Sequence, residues 1–348
     1  MTATTGGRTH GMVIRFRGQL GVPALGVSVV DADGVVERFV LGSRRRDDTD
    51  PVTVDDQWHI GSCGKAITAA LYARLVERGD AAWGVPLREL LGDLAGDIHP
   101  EWATPTIDEA LVCQAGIRAN LSRDGMRRAY ADRCPATEQR SAAVRSTLAE
   151  PPRNRGRFRY SNLSYVVIGA VIDRVAGMPF EDALATLLLD PLGITSAGVG
   201  PPPLVWGHHP RAQVGSLVVG RGAPADPRSA SADNPSVLTP AGRLHLSLAD
   251  WGAFQRIFLT GGGDLLAPAS VERLLTGPPG AAPGMTMGWA PAREADLSFG
   301  QQGSNGLWSA TALVDADRRR TAMVVVNDGR TRVLVRSARL AAALLRAR

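Results

Sequence analysis

HIGSCGKAITAALYARLVERG, residues 59–79, holds Lys65, the single lysine in a chain whose lysines and arginines together number 39. Every other cation in the sequence is arginine. Ser62 and Lys65 stand three residues apart, and the apolar run that follows reads as a helix over residues 62–78, stopped by Gly79 at a left-handed cap position. Ala66, Ile67, Ala69, Ala70, Leu71, Leu75 and Val76 cover much of its circumference, so the helix is expected to be buried. Residues at i and i+3 share a helix face, which lets the serine hydroxyl and the lysine amine meet. A serine hydroxyl becomes a useful nucleophile only when a base takes its proton. Lysine can be that base when burial and the positive end of a helix favour its neutral form. Arginine cannot, because it stays protonated in proteins. The position therefore calls for a titratable amine.

The spacing alone is weak evidence. With 19 serines in 348 residues, a lone lysine has a serine three places upstream about one time in eighteen by chance. A second stretch strengthens it: RFRYSNLSYVVIGAVI, residues 157–172, carries Tyr160-Ser161-Asn162 just ahead of an apolar helix. A buried tyrosine beside an ammonium can relay protons between nucleophile and leaving group. Asn162 offers an amide to a substrate carbonyl or to the lysine. Ser161 or Asn162 also suits a helix N-cap, and the two roles are compatible.

Composition excludes several classes. A hydrophobic fraction of 44% and a charged fraction of 21% describe a globular chain with a full core. The net charge of +5 comes from scattered arginines, and aromatic residues make up only 5%, too few stacking platforms for a nucleic-acid binder. The first residues lack a continuous apolar segment, and no run approaches the ~18 apolar residues of a membrane helix. Cys63, Cys113 and Cys134 have no metal-ligand spacing and are odd in number, against a disulfide framework. A cytoplasmic, thiol-reduced protein is expected, with no nucleic-acid or membrane partner and no cofactor. His208-His209 are sequential neighbours without the i, i+4 spacing of a helical metal pair, so no metal is expected either. His59 and His245 read as packed or surface histidines, Cys63 as a small buried residue. No G-x-S-x-G elbow occurs. Arg153, Arg155, Arg157 and Arg159 alternate ahead of Tyr160; such a run is usually a solvated loop, with an anion-recognising rim as the minority reading.

Two valine-rich runs in GVPALGVSVVDADGVVERFVLGS flank Asp33-Gly34 and read as a hairpin. Further strands are expected in MTMGWAP, LSFGQQG and SATALVDADRRRTAMVVVNDG, followed by an apolar-striped helix over residues 331–347. Residues 162–177 and 247–263 are the clearest helices between, and the Gly/Pro/Ser-rich 198–236 reads as loop. Strands at both ends and helices between predict an α/β fold: an antiparallel sheet built from both termini and flanked by helices, with an inserted mainly helical domain. The expected division is 1–82 with 285–348, and 83–284 as the insert.

These stretches resemble, in order and over most of the length, the class C β-lactamase-like serine hydrolases: DD-peptidases, family VIII esterases and related transacylases. VPALGVSVV and DGVVERFVLG look like the family's opening hairpin, IGSCGKAITAALYARLVERG like its S-x-x-K helix. PPRNRGRFRYSNLSYVVIGAVIDRVAGMPFEDALATLLLDPLGI is similar to its Y-x-N segment, TPAGRLHLSLADWGAFQRIFLTGG to its later glycine-to-helix stretch. The resemblance implies a β-lactamase/penicillin-binding-protein-like fold and an acyl-enzyme on Ser62. It implies Lys65 and Tyr160 as the base pair and Asn162 as a substrate contact.

Two departures stand out. Where the family has K-T-G or H-x-G on a strand beside the serine, SFGQQGSNGLW places Gln301-Gln302-Gly303. Gly303 still permits close approach, and the N–H of Ser304 would pair with that of Ser62 as an oxyanion hole. At Gln301, however, a cation has become a neutral amide. ALVCQAGI, residues 110–117, replaces a histidine-threonine-serine-glycine loop and has no catalytic reading. The expected function is serine-dependent acyl transfer from a small ester or amide, passing the acyl group to water or to an amine or alcohol acceptor. The rival expectation, motivated by Gln301, is a degenerate relative that binds an acyl ligand without turnover.

Overall fold

The computed structural model describes residues 7–214, 217–292 and 294–347. Its main sheet has six antiparallel strands: β1 (Ala24–Asp31), β2 (Val35–Gly42), β3 (Ala290–Pro291), β4 (Leu297–Ser304), β5 (Ser309–Asp315) and β6 (Arg320–Val326), in the order β2-β1-β6-β5-β4-β3. The two ends of the chain meet where β1 pairs β6, Leu25 opposite Val326 through Asp31 opposite Arg320. Asn327 locks that junction: its Oδ1 accepts from Ala24 N at 2.8 Å, and its Nδ2 donates to Arg44 O at 3.1 Å.

Alternation along β6 divides the core in two. Ala322, Val324 and Val326 pack with Val13, Phe16, Leu340 and Leu344, which come from the helices α1 (Gly7–Leu20) and, at the C-terminus, Thr331–Arg346. Met323 and Val325 face the other way, into a larger core. A strand buried on both sides shows no polar alternation, and TAMVVV accordingly reads as one continuous apolar run.

The intervening chain is mainly helical and centres on α2 (Gly64–Glu77), whose residues Gly64–Ala73 and Leu75 are all buried. Against it pack α3 (Asn162–Val175) and the four-residue helix Thr239–Gly242. The helix α4 (Leu248–Arg256) covers β1, and α5 (Thr331–Arg346) covers β5 and β6. The fold class is therefore the one expected. No single helix among the described residues is long and apolar enough to cross a membrane.

Local readings need correction. The N-terminal helix α1 was not expected; its mixed GRTHGMVIRFRGQL gains order from three apolar residues, Val13, Phe16 and Leu20, seated on the sheet. MTMGWAP forms only the two-residue strand β3, since glycine and proline limit its pairing. The segment 198–236 is more than loop: it contains a short strand, Gly198–Val199, and the hairpin strands His208–Val214 and Leu217–Pro224. Burial is 0% exposed for Arg140, whose guanidinium bonds Asp173 at 2.7 Å and Glu181 at 2.8 Å. Arg140→Ala strands both carboxylates, so the unfolding free energy is expected to fall by about 3 kcal/mol in a denaturant titration. Arg140→Lys should recover less than the full amount, because an ammonium cannot serve both forks.

Candidate active site

Ser62 sits in a single 3-10 turn, Gly61–Cys63, immediately before α2, rather than inside the α-helix itself. The i, i+3 relation survives that change: Lys65 Nζ lies 3.2 Å from Ser62 Oγ. Lys65 is 1% exposed. Its amine also donates to Asn162 Oδ1 at 2.7 Å and to Ala241 O at 2.5 Å. The tyrosine faces the same serine, with Tyr160 OH donating to Ser62 Oγ at 2.7 Å. Lys65 Nζ stands 4.9 Å from the Tyr160 ring centroid and 5.4 Å from that of Tyr165. Tyr160 is not buried as expected but 39% exposed, because it lies on the wall of a cavity.

Three glycines let backbone meet backbone around Ser62. Gly61 has φ +51°, and a Cβ there would approach Ser304 N to 2.5 Å. A Cβ on Gly303 would collide with Ile60 O and lie 2.7 Å from Ser62 N. One on Gly242, at φ +156°, would lie 3.1 Å from Ser62 N. Strand β4 therefore runs hard against the serine turn, bringing the amides of residues 62 and 304 to the same place.

ALVCQAGI acquires a structural role. Arg153 N, Gly156 N and Arg159 N donate to Gly116 O, Gln114 O and Cys113 O at 2.9, 2.9 and 3.0 Å, which ties down the strip leading to Tyr160. Ser161 caps α3, its Oγ accepting from Ser164 N at 2.9 Å, so cap and site neighbour coincide. The Gln114 side chain grips a second segment, donating to Ala282 O at 2.8 Å and accepting from Ala282 N at 2.9 Å. Arg153 and Arg155 are paired with Glu150 and Glu109, and none of the four alternating arginines lines the cavities at Ser62. The rim reading is not supported by that placement.

Gln301 lies on β4, is 4% exposed and lines the same cavity as Ser62, Lys65 and Tyr160. Its Nε2 and Oε1 have no hydrogen-bond partner among the described residues. Gln302, the next residue, also lines that cavity, and its Nε2 donates to Leu334 O at 2.9 Å. Cys63 is fully buried, and burial pushes its thiol well above the usual range, which suits a packing residue.

Sequence reasoning missed the support beneath the serine turn. His59 is buried; its Nδ1 accepts from Gly61 N at 3.1 Å, which leaves Nε2–H to face Asp233 Oδ2 at 3.1 Å. Asp233 Oδ1 accepts from Asn305 Nδ2 at 2.9 Å, one residue beyond Ser304. Burial pushes the Asp233 carboxyl up, but His59, Arg243 and Asn305 together hold it below its ordinary value. One carboxylate thus links the turn carrying Ser62 to the end of β4. Asp233 belongs to a polar, Gly/Pro/Ser-rich stretch, and nothing in its neighbours marks it.

An antiparallel sheet, a buried helix and a serine–lysine–tyrosine cluster between them define a penicillin-binding-protein-like fold. The chain belongs to the beta-lactamase family, whose model matches residues 10–347. It is 25% identical over 241 residues to penicillin-binding protein 4 of Amycolatopsis lactamdurans, covering 69% of this chain and 60% of that protein. It is 26% identical over 198 residues to an unguisins hydrolase of Aspergillus violaceofuscus, covering 55% of this chain and 34% of that one. The D-amino acid amidase of Ochrobactrum anthropi SV3 superposes with a TM-score of 0.78 at 19% identity, over 97% of both chains. Relatives and structural neighbours are named as a hydrolase, an amidase and a class C beta-lactamase.

Gly303→Ala should push β4 away from the serine turn. Phosphonylation by a fluorophosphonate, followed by intact mass, is expected to slow about a hundredfold if Ser62 is the residue modified. Circular dichroism should remain that of the parent.

Proposed function

We infer that the protein is a serine acyl-transfer enzyme acting on esters or amides that are uncharged beside the scissile carbonyl. The observation that carries this reading is the set of contacts around Lys65. Two of its three partners, Asn162 Oδ1 and Ala241 O, can only accept; the third, Ser62 Oγ, can also donate. A neutral amine would donate to the first two and receive the serine O–H on its lone pair. An ammonium would donate to all three. The proton can therefore pass from Ser62 to Lys65 with no side chain moving, which is the preorganisation a general base needs.

Ser62 Oγ then bonds the carbonyl carbon, and the amides of Ser62 and Ser304 receive the developing oxyanion. Tyr160, bonded to the same serine oxygen, gives its proton to the departing alcohol or amine and regains one from the Lys65 ammonium. Deacylation runs the same steps backwards with water or an acceptor as the incoming group. Family relatives named as hydrolases and amidases agree with this chemistry.

Gln301 supports the restriction to uncharged substrates. A cation on this strand would serve a substrate carboxylate, and charge-assisted bonds contribute roughly twice what neutral ones do. A buried amide without partners costs about 1–3 kcal/mol, which a neutral carbonyl or N–H of the substrate would offset. A carboxylate there would lack its countercharge.

Ser62→Ala is expected to abolish the covalent mass adduct of a fluorophosphonate or activated ester while keeping the parent's fold. An adduct persisting in this variant would sink the mechanism, and a parent that never gains one would make the protein a binder. Lys65→Arg should lower ester turnover by roughly 10²–10⁴; retention of most activity would show that the site needs only charge. Matched esters with and without a carboxylate next to the scissile group test Gln301. The parent should prefer the neutral ester, and Gln301→Lys should move the preference toward the acid. A parent preference for the acid would overturn this part of the reading.

A further inference from the structure

Two cavities meet at Ser62, the one described residue that lines both. The larger, ≈ 1020 Å³, contains Lys65 and Tyr160 and has walls of Phe158, Met285, Trp289, Leu297, Leu313 and Val335. Along it α5 presents Val335, Ala338, Arg339, Ala342 and Arg346, a single helix face about 16 Å long, and Glu294, Gln301 and Gln302 add polar groups to an otherwise mainly apolar lining. Arg346, at the far end, is engaged by Asp296 at 2.5 Å. The smaller cavity, ≈ 480 Å³, is different in kind. Asn162, Asn234, Ser304, Asn305 and Thr331 line it, with no titratable side chain among the described residues. The Asn234 side-chain amide makes no hydrogen bond among those residues.

We propose that the departing group and the acceptor of acyl transfer occupy the larger, mainly apolar cavity, while the acyl group occupies the smaller, more polar one. The acceptor class is then an apolar alcohol or amine, and the acyl group is compact, uncharged and hydrogen-bonding. This rests on the acyl-serine reading above and assigns its two sides. The departing group must receive a proton, and Tyr160, which holds that proton, opens onto the larger cavity only. By microscopic reversibility the acceptor attacks from where the first group left. Tyr160 first passes its proton to the neutral Lys65 and takes the acceptor's O–H or N–H proton as the acceptor oxygen or nitrogen bonds the acyl carbon; the Ser62 Oγ–carbon bond breaks, and the Lys65 ammonium returns its proton to Oγ. What remains of the substrate lies across the serine, beside Asn162 and Asn234. An alkyl chain leaving water for the long apolar wall gives such an acceptor an advantage over water itself.

The p-nitrophenyl ester of N-acetylglycine supplies a compact polar acyl group, and release of nitrophenolate reports acylation independently of the acceptor. Ethanol, 1-octanol and glycerol are then offered at equal concentration, and acid and ester products are separated by mass. The ratio of octyl ester to acid should exceed that of ethyl ester to acid by about tenfold and saturate with octanol. Ala338→Glu, and separately Val335→Gln, should lower the octyl ratio about fivefold by placing a polar group on the apolar wall, with a much smaller effect on the ethyl ratio. Transfer to octanol no greater than to ethanol, or a preference for glycerol, would overturn the inference while nitrophenolate release keeps the acyl-serine reading intact. Faster release from p-nitrophenyl decanoate than from the N-acetylglycine ester would reverse the two sides and overturn it equally. Release no faster than in Ser62→Ala would overturn both.

Discussion

A buried lysine amine with three partners from three parts of the chain is the constraint on which the rest of this structure depends. Ser62 comes from the turn before α2, Asn162 from the start of α3, and Ala241 from the short helix Thr239–Gly242. An amine at 1% exposure is costly unless each N–H finds an acceptor. The three segments must therefore converge, and α2 must be central enough to be covered nearly all round. The contacts that stabilise Lys65 also place it on Ser62, so stability and the proposed chemistry make the same demand here.

Close backbone approach is the second demand. β4 can lie against the serine turn only because residues 61, 303 and 242 lack side chains. Below them, His59, Asp233 and Asn305 form a buried polar chain joining the turn to the strand end. Each polar atom named in that chain has a partner, which is the condition under which a buried network rigidifies rather than destabilises. The serine turn and the end of β4 are thereby tied together from beneath by one carboxylate.

The family departures are of two kinds. ALVCQAGI has exchanged one loop chemistry for another that still serves as scaffold: its carbonyls hold the strip to Tyr160, and Gln114 clamps Ala282. Gln301 is different, since its amide is buried, lines the cavity and is unpartnered among the described residues. Scaffold can be rebuilt with other side chains because backbone groups do the bonding. A change of charge at a cavity wall cannot be neutral in the same way, because it alters which substrates can be desolvated there.

By itself the sequence determined the local features whose cause is local. Valine-rich runs on either side of the Asp33-Gly34 turn marked β1 and β2, the apolar circumference of residues 66–76 marked a buried helix, and the lone lysine three residues after Ser62 marked the candidate site. Tyr160-Ser161-Asn162 was legible because the helix start and the site coincide. Tertiary structure alone decided the rest. α1 owes its order to the sheet beneath it, and the hairpin at 208–224 emerges from a stretch whose composition reads as loop. Asp233 gains its meaning from His59 and Asn305, which are 174 and 72 residues away along the chain. The exposure of Tyr160 and the contrast between the cavities flanking Ser62 likewise arise where distant segments face one another. Periodicity and spacing record what a residue does with its near neighbours; which far neighbours it meets is set by packing, and packing leaves no local trace.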